Sequence, residues 1–206
     1  MTKARDLAVF DASGVLTSTS NLNASKLTSG TIPNARYGTP TFDGSNLTGI
    51  AAGITEADEF RLTTSFTGDR NPIASNWERN DTNFDKIGTG LTAESGGVFS
   101  FPSTGIWLVT AYFRVSCTGE NTYCMGEINV TSNNSSYSTR ASASSGMTNG
   151  SNDIDQTYST SCIIDVTNTS NVKFKISQNV ADNSTTTVGN SNQNRTYFTA
   201  IRLGDT

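Results

Sequence analysis

The stretch from Gly105 to Val115, GIWLVTAYFRV, constrains this chain more than any other. Trp107, Val109, Ala111, Phe113 and Val115 recur at every second position, and Ile106, Leu108, Thr110, Tyr112 and Arg114 fill the positions between. A period of two is the signature of a β-strand, whose successive side chains point to opposite faces. One face is wholly apolar and the other half-apolar. Such a strand has a core on one side and some other cover on the second, and a contact between subunits is one such cover. The surrounding composition agrees. Hydrophobic residues make up 34% and charged residues 16%, so Ser, Thr, Asn and Gly dominate the remainder. That mixture disfavours helices and suits short strands joined by turns. Aromatic and β-branched residues gather in compact runs, which argues for a folded chain over a disordered one. The expected class is all-β.

Further runs behave alike. Glu59–Phe66 places Phe60, Leu62 and Phe66 on one face before Gly68 and Pro72 break it, and Trp77 and Phe84 are expected as anchors of the turn-rich stretch that follows. The segments YCMGEINVTS, SYSTRASA, STSCIIDV, NVKFKISQ and RTYFTAIRL add strands, with Val172, Phe174 and Ile176 alternating with Lys173 and Lys175. About eight strands at such spacing suit a two-sheet jelly roll. Three cysteines are an odd number and too few for a disulfide framework. Cys117, Cys124 and Cys162 are read as small buried hydrophobes, although Cys117 and Cys124 flank the turn-like TGENTY and could meet across a hairpin.

The N-terminal part differs. Leu22, Leu27, Ile32, Tyr37, Phe42 and Leu47 recur at every fifth position, each two places after Ser20, Ser25, Gly30, Ala35, Pro40 or Ser45. This period fits neither helix nor strand. It asks for an extended, turn-rich path that brings one side chain per unit to a common axis. The pattern resembles pentapeptide-repeat solenoids, yet it is too short to close its own core, so several copies around an axis are expected. SNLNASKLTSGTIPNARYGTPTFDGSNLTGI also resembles segments of bacteriophage fibre and decoration proteins, which lie between a virion-anchoring N-terminus and a globular tip. The expected organisation is an anchor over 1–19, a period-five stalk and joint over 20–58, with Ile50–Asp58 a helical turn or joint, and a jelly-roll head over 59–206. MTKARDLAVFDASG has charges interrupting any apolar core of a secretory signal.

The segment Phe99-Ser-Phe101-Pro102-Ser-Thr-Gly105-Ile-Trp107-Leu-Val109 resembles the central motif of complement-q and tumour-necrosis-factor-like heads. Pro and Gly make a tight corner between two strands, and the aromatics cover the inner face. Phe101 stands where that family prefers a small residue and Trp107 where it prefers Tyr. Tyr197–Leu203 resembles the family's closing strand, which ends at the base of the head beside its N-terminus. The resemblance implies a jelly roll of about ten strands that assembles as a compact homotrimer. Phe99, Phe101, Pro102, Gly105, Trp107, Val109, Phe113, Phe174 and Phe198 are the candidate core or interface of the head, and the six period-five residues the candidate core of a trimeric stalk.

The chain has no histidine, which removes imidazole nucleophile relays, His-based metal sites and imidazole general bases. No phosphate-binding loop is present. Carboxylates that could pair are Asp81 with Asp85, Asp153 with Asp155, and Glu94 or Glu120. Asp153 and Asp155 could also contribute to a calcium site, but no full ligand loop accompanies them. A net charge of -4 without a basic stripe argues against nucleic-acid binding. No apolar run approaches the ~20 residues of a spanning helix, so no membrane partner is expected. The loops TSNNSSYS, GMTNGSND and GNSNQNR carry the amides and hydroxyls that bind sugars. The expectation is therefore a non-enzymatic virion protein without cofactor: a homotrimeric tail fibre or capsid decoration, joined to capsid or tail proteins through its N-terminal region. A host-surface glycan is a further candidate partner. The alternative is a carbohydrate-binding, lectin-like module outside any virion.

Overall fold

The computed structural model describes residues 53–118, 121–147 and 153–206. The anchor, the stalk residues Leu22, Leu27, Ile32, Tyr37, Phe42 and Leu47, and Glu120 lie outside the described residues. The rest is a β-sandwich of two antiparallel sheets, as the composition leads one to expect. Its strands in chain order are β1 (Ala57–Leu62), β2 (Phe66–Thr67), β3 (Trp77–Arg79), β4 (Lys86–Ile87), β5 (Thr92–Glu94), β6 (Val98–Ser100) and β7 (Gly105–Thr118). They continue with β8 (Asn121–Thr131), β9 (Ser138–Met147), β10 (Asp153–Val166), β11 (Lys173–Val180), β12 (Thr186–Thr187) and β13 (Tyr197–Gly204). The described residues form thirteen segments; without the two-residue pairings β2, β4 and β12, ten remain, more than the eight read from the spacing and the number that the resemblance implies.

The first sheet runs β2-β12-β7-β13-β1-β3, with β10 on the other edge of β7 and β4 against β1; the second runs β5-β6-β11-β8-β9. The chain changes sheet between β7 and β8, returns between β9 and β10, leaves again at β11 and returns at β12. This alternation is the jelly roll.

The inner face of β7 is the centre of the core. Trp107, Val109, Ala111, Phe113 and Val115 are fully buried, and Phe174, Ile176 and Ile128 of the second sheet are buried with them. Phe99 ties the two layers together, with its ring 4.6 Å from Phe198, 5.2 Å from Phe60 and 5.4 Å from Phe174. Each such side chain contributes about 1.5–3 kcal/mol through burial alone. Gly105 makes the corner at φ +138, and a Cβ there would stand 2.5 Å from the Gly204 carbonyl. Trp107 closes the same corner by donating from Nε1 to the Ser103 carbonyl at 3.3 Å.

Three local expectations change. Ala57 and Asp58, read as part of a joint, begin β1 and pair with Ile201 and Ala200. They are held there because the buried Asp58 carboxylate accepts from Arg79 Nη2 at 2.9 Å and from the Leu91 amide at 2.7 Å. Phe66 belongs not to β1 but to β2, after a bend that Thr63 anchors by donating its amide to the Asn76 carbonyl. Phe84 is exposed, in the turn before the short edge strand β4, whereas Trp77 packs against Phe99 and Phe198.

Candidate functional site

Of the nine candidate head residues, eight are buried and Pro102 is half-buried. Phe99, Phe101, Trp107, Val109, Phe113, Phe174 and Phe198 are buried core, and Pro102 and Gly105 form the corner beside them. They make the scaffold, and the outer face of β7, β10 and β13 lies on the other side of the same sheet.

Strand pairing decides what that outer face carries. Leu108 stands between Ile201 of β13 and Ile163 of β10, Thr110 between Thr199 and Ser161, and Tyr112 between Tyr197 and Ser159. Three bands therefore cross the sheet: aliphatic, hydroxyl and aromatic. Ile106 and Leu203 extend the aliphatic band toward the Gly105 end, and Ile163 and Leu203 are 59% and 55% exposed. Tyr112 and Tyr197 stack with ring centroids 4.5 Å apart and planes inclined by 9°. Burial raises the Tyr197 phenol above its ordinary pKa, with smaller contributions from Tyr112 and the Glu59 carboxylate. The aromatic pair is thus half-withdrawn from water while its outer flank stays open.

Fixed charges frame these bands. Arg114 donates to Asp155 at 2.8 Å on one side. On the other, the buried Arg61 reaches Glu78 at 3.1 Å and Asp81 at 3.2 Å. Arg202 pairs with Asp205 at the end of β13. An aromatic and aliphatic centre within a polar, ion-paired margin is the anatomy of a protein–protein contact.

Of the carboxylates considered for catalysis, Asp81, Asp85, Glu94 and Asp155 can be placed, and they do not converge. Asp81 is tied to Arg61, Glu94 to Lys173 at 2.9 Å, and Asp155 to Arg114. Asp85 is exposed in the turn after Phe84. Among the described residues, no three His, Cys, Asp or Glu side chains are grouped to hold a metal ion. The sugar-type loops are also separated. The Thr131–Ser138 connection lies at the Gly105 end, where the Asn134 amide meets the Asn171 carbonyl. The strand ends Met147 and Asp153 lie at the opposite end, where they pair with Asn121 and Thr118, and residues 148–152 fall outside the described residues. Cys117 and Cys124 share a small buried cluster with Val115 and Val180. Burial, and secondarily Cys117, pushes the Cys124 thiol up to about 11. Cys162 is part-buried on β10.

Sequence reasoning found Ile106, Leu108, Tyr112 and Arg114 on this outer face. It did not find Ile163, Tyr197 or Ile201 beside them, because only the register brings three strands level.

No protein-family model matches the chain, and no curated protein matches it. Solved structures do. Murine APRIL, in a crystal structure at pH 5.0, aligns over 72% of this chain and 98% of its own, with a TM-score of 0.51 and 11% identity. Eiger TNF from S. frugiperda aligns over 75% of this chain and 96% of its own, with a TM-score of 0.50 and 13% identity. At these identities the likeness establishes the fold, a jelly roll of the tumour-necrosis-factor kind.

Proposed function

We propose that this chain is a non-enzymatic, homotrimeric appendage of a phage-type virion, with residues 1–19 as anchor, the period-five segment as stalk and the jelly-roll head as an adhesive or decorating tip. The observation that carries the trimer is the outer face of β13, β7 and β10. One copy leaves Ile163 and Leu203 more than half exposed beside a stacked tyrosine pair. Burying such a surface contributes about 25 cal/mol per Å² of apolar area. A contact joining this face to a different patch on the next copy closes into a ring if the rotation allows, and three copies are the expectation that the head motif carries.

The geometry of the ends supports a projecting head. The Arg202 amide donates to the Glu56 carbonyl, so the entry of the chain into the first sheet and the exit of its last strand share one end. The opposite end, where Thr118 pairs with Asp153, points away from that entry. A non-enzymatic role is supported by the lack of histidine and by carboxylates tied to separate cations. The virion setting is supported by the likeness of Ser20–Ile50 to fibre and decoration segments.

Gold-labelled antibody against the head, imaged by electron microscopy on intact particles from the producing strain, tests that setting. Label at capsid vertices or faces means decoration, and label at the tail means a fibre. Particles free of label, with the protein recovered elsewhere, would remove the virion reading.

A further inference from the structure

At the end of the sandwich opposite Gly105 the chain crosses twice between the two sheets. β7 ends at Thr118 in the first sheet, and β8 begins at Asn121 in the second. The second crossing lies beside it. Val180 of β11 is level with Cys124, and Thr186 of β12 is level with Ser116, with a turn between them that the Thr185 amide closes on the Asp182 carbonyl at 3.0 Å. Val115, Cys117, Cys124 and Val180 form a buried cluster of their own here. Cys117 continues the inner face of β7 after Val115, and Cys124 shares the inner face of β8 with Gly126 and Ile128. One thiol therefore comes from each sheet, and both enter the same interior space. Cys117 is 6% exposed and Cys124 fully buried, and the electrostatic effect of Cys117 on the Cys124 thiol marks the two as neighbours. The third cysteine is elsewhere. Ile154 pairs with Cys117 and Cys162 with Val109 along the same two strands, which puts Cys162 about 25 Å away at roughly 3.3 Å per residue.

We propose that Cys117 and Cys124 are a redox-operated pin between the two sheets, a dithiol under reducing conditions that closes to a disulfide when the chain folds in the presence of a disulfide oxidant. A disulfide requires two sulfurs that point into one space, which the shared cluster provides and which no pairing with Cys162 does. Closure is a pair of exchanges. The thiolate of one cysteine attacks a sulfur of the oxidant and releases its first thiol; the other cysteine then attacks the mixed disulfide and releases the second. Two protons and two electrons pass from the cysteines to the oxidant. In the folded head, burial keeps both thiols from solvent, and the raised Cys124 pKa makes its thiolate scarce at neutral pH, so the pin is set during folding. Its effect falls on the unfolded chain, whose conformations a cross-link restricts. The inference is independent of the virion setting and of the trimer, because the pair lies inside one head.

The test uses the full chain, refolded from urea with either dithiothreitol or oxidised glutathione, then denatured and alkylated for mass spectrometry of its peptides. After refolding with glutathione, the pin predicts that the peptides of Cys117 and Cys124 are recovered joined to each other and unalkylated, with Cys162 outside the link. It also predicts a melting temperature roughly 5–10 °C above that of the dithiothreitol-treated protein, a gain that Cys117→Ser lacks and Cys162→Ser keeps. Alkylation of both Cys117 and Cys124 after refolding with glutathione would overturn the inference. So would glutathione adducts at these two positions in place of the internal link, a link that includes Cys162, or a cross-linked protein that melts no higher than the reduced one.

Discussion

Gly126 on β8 shows how a single atom governs this sandwich. A Cβ at that position would stand 2.3 Å from the Phe113 ring. The ring has nowhere to retreat. It is fully buried and stacked on Tyr158, with centroids 5.4 Å apart. Tyr158 is in turn fixed by donating its hydroxyl to the buried Gln178 at 2.9 Å. Burial raises the Tyr158 phenol well above its ordinary range, which favours the protonated hydroxyl that donates this bond. Gly126→Ala is therefore an overpacking change, expected to cost about 1–3 kcal/mol. Urea titration followed by tryptophan fluorescence should show a lower midpoint with the slope unchanged, and a midpoint equal to that of the wild type would show that the ring shifts at no cost. In sequence, YCMGEINV gives no hint of this, because the constraint comes from a side chain on the other sheet.

At the scale of elements, the edge strand β5 is tied to β11 by Lys173, which donates to Glu94. That hydrogen bond holds the Glu94 carboxyl below its ordinary value of 4.5, against the opposing effect of burial. A carboxylate depressed in the folded state favours folding above its unfolded pKa, and the contribution disappears as pH falls through the folded value. Lys173→Met should therefore lose less stability than the wild type between neutral pH and pH ~3, measured as the difference in melting temperature. Equal acid losses in the two proteins would contradict this. The same scale explains what could be read in advance. The inner face of β7 was legible because period-two alternation needs no partner, and so was the Pro102–Gly105 corner because its residues restrict backbone angles. Asp58 looked like linker because the groups that bury it, Arg79 and the Leu91 amide, are distant in sequence. Phe84 looked like core because an aromatic in a turn-rich stretch carries no sign of which way it faces.

For the whole molecule, the inner and outer faces of one sheet have separate tasks. The inner face is complete within one chain: Trp107, Phe113 and Phe198 are fully buried by their own subunit. The outer face is not, since Leu108, Ile163 and Ile201 form a band that the described chain leaves in contact with water. Replacing Leu108 by a charged residue leaves the core untouched and places an unpaired charge in the centre of that band, where a contact between copies cannot tolerate it. The most direct measurement is the light-scattering mass of the full chain at micromolar concentration, beside Leu108→Arg with its strand content checked by circular dichroism. The account predicts a wild-type mass of about three times 21.9 kDa and a folded variant shifted toward the mass of one chain. A wild-type monomer, or a variant that keeps the full assembly mass, would contradict it.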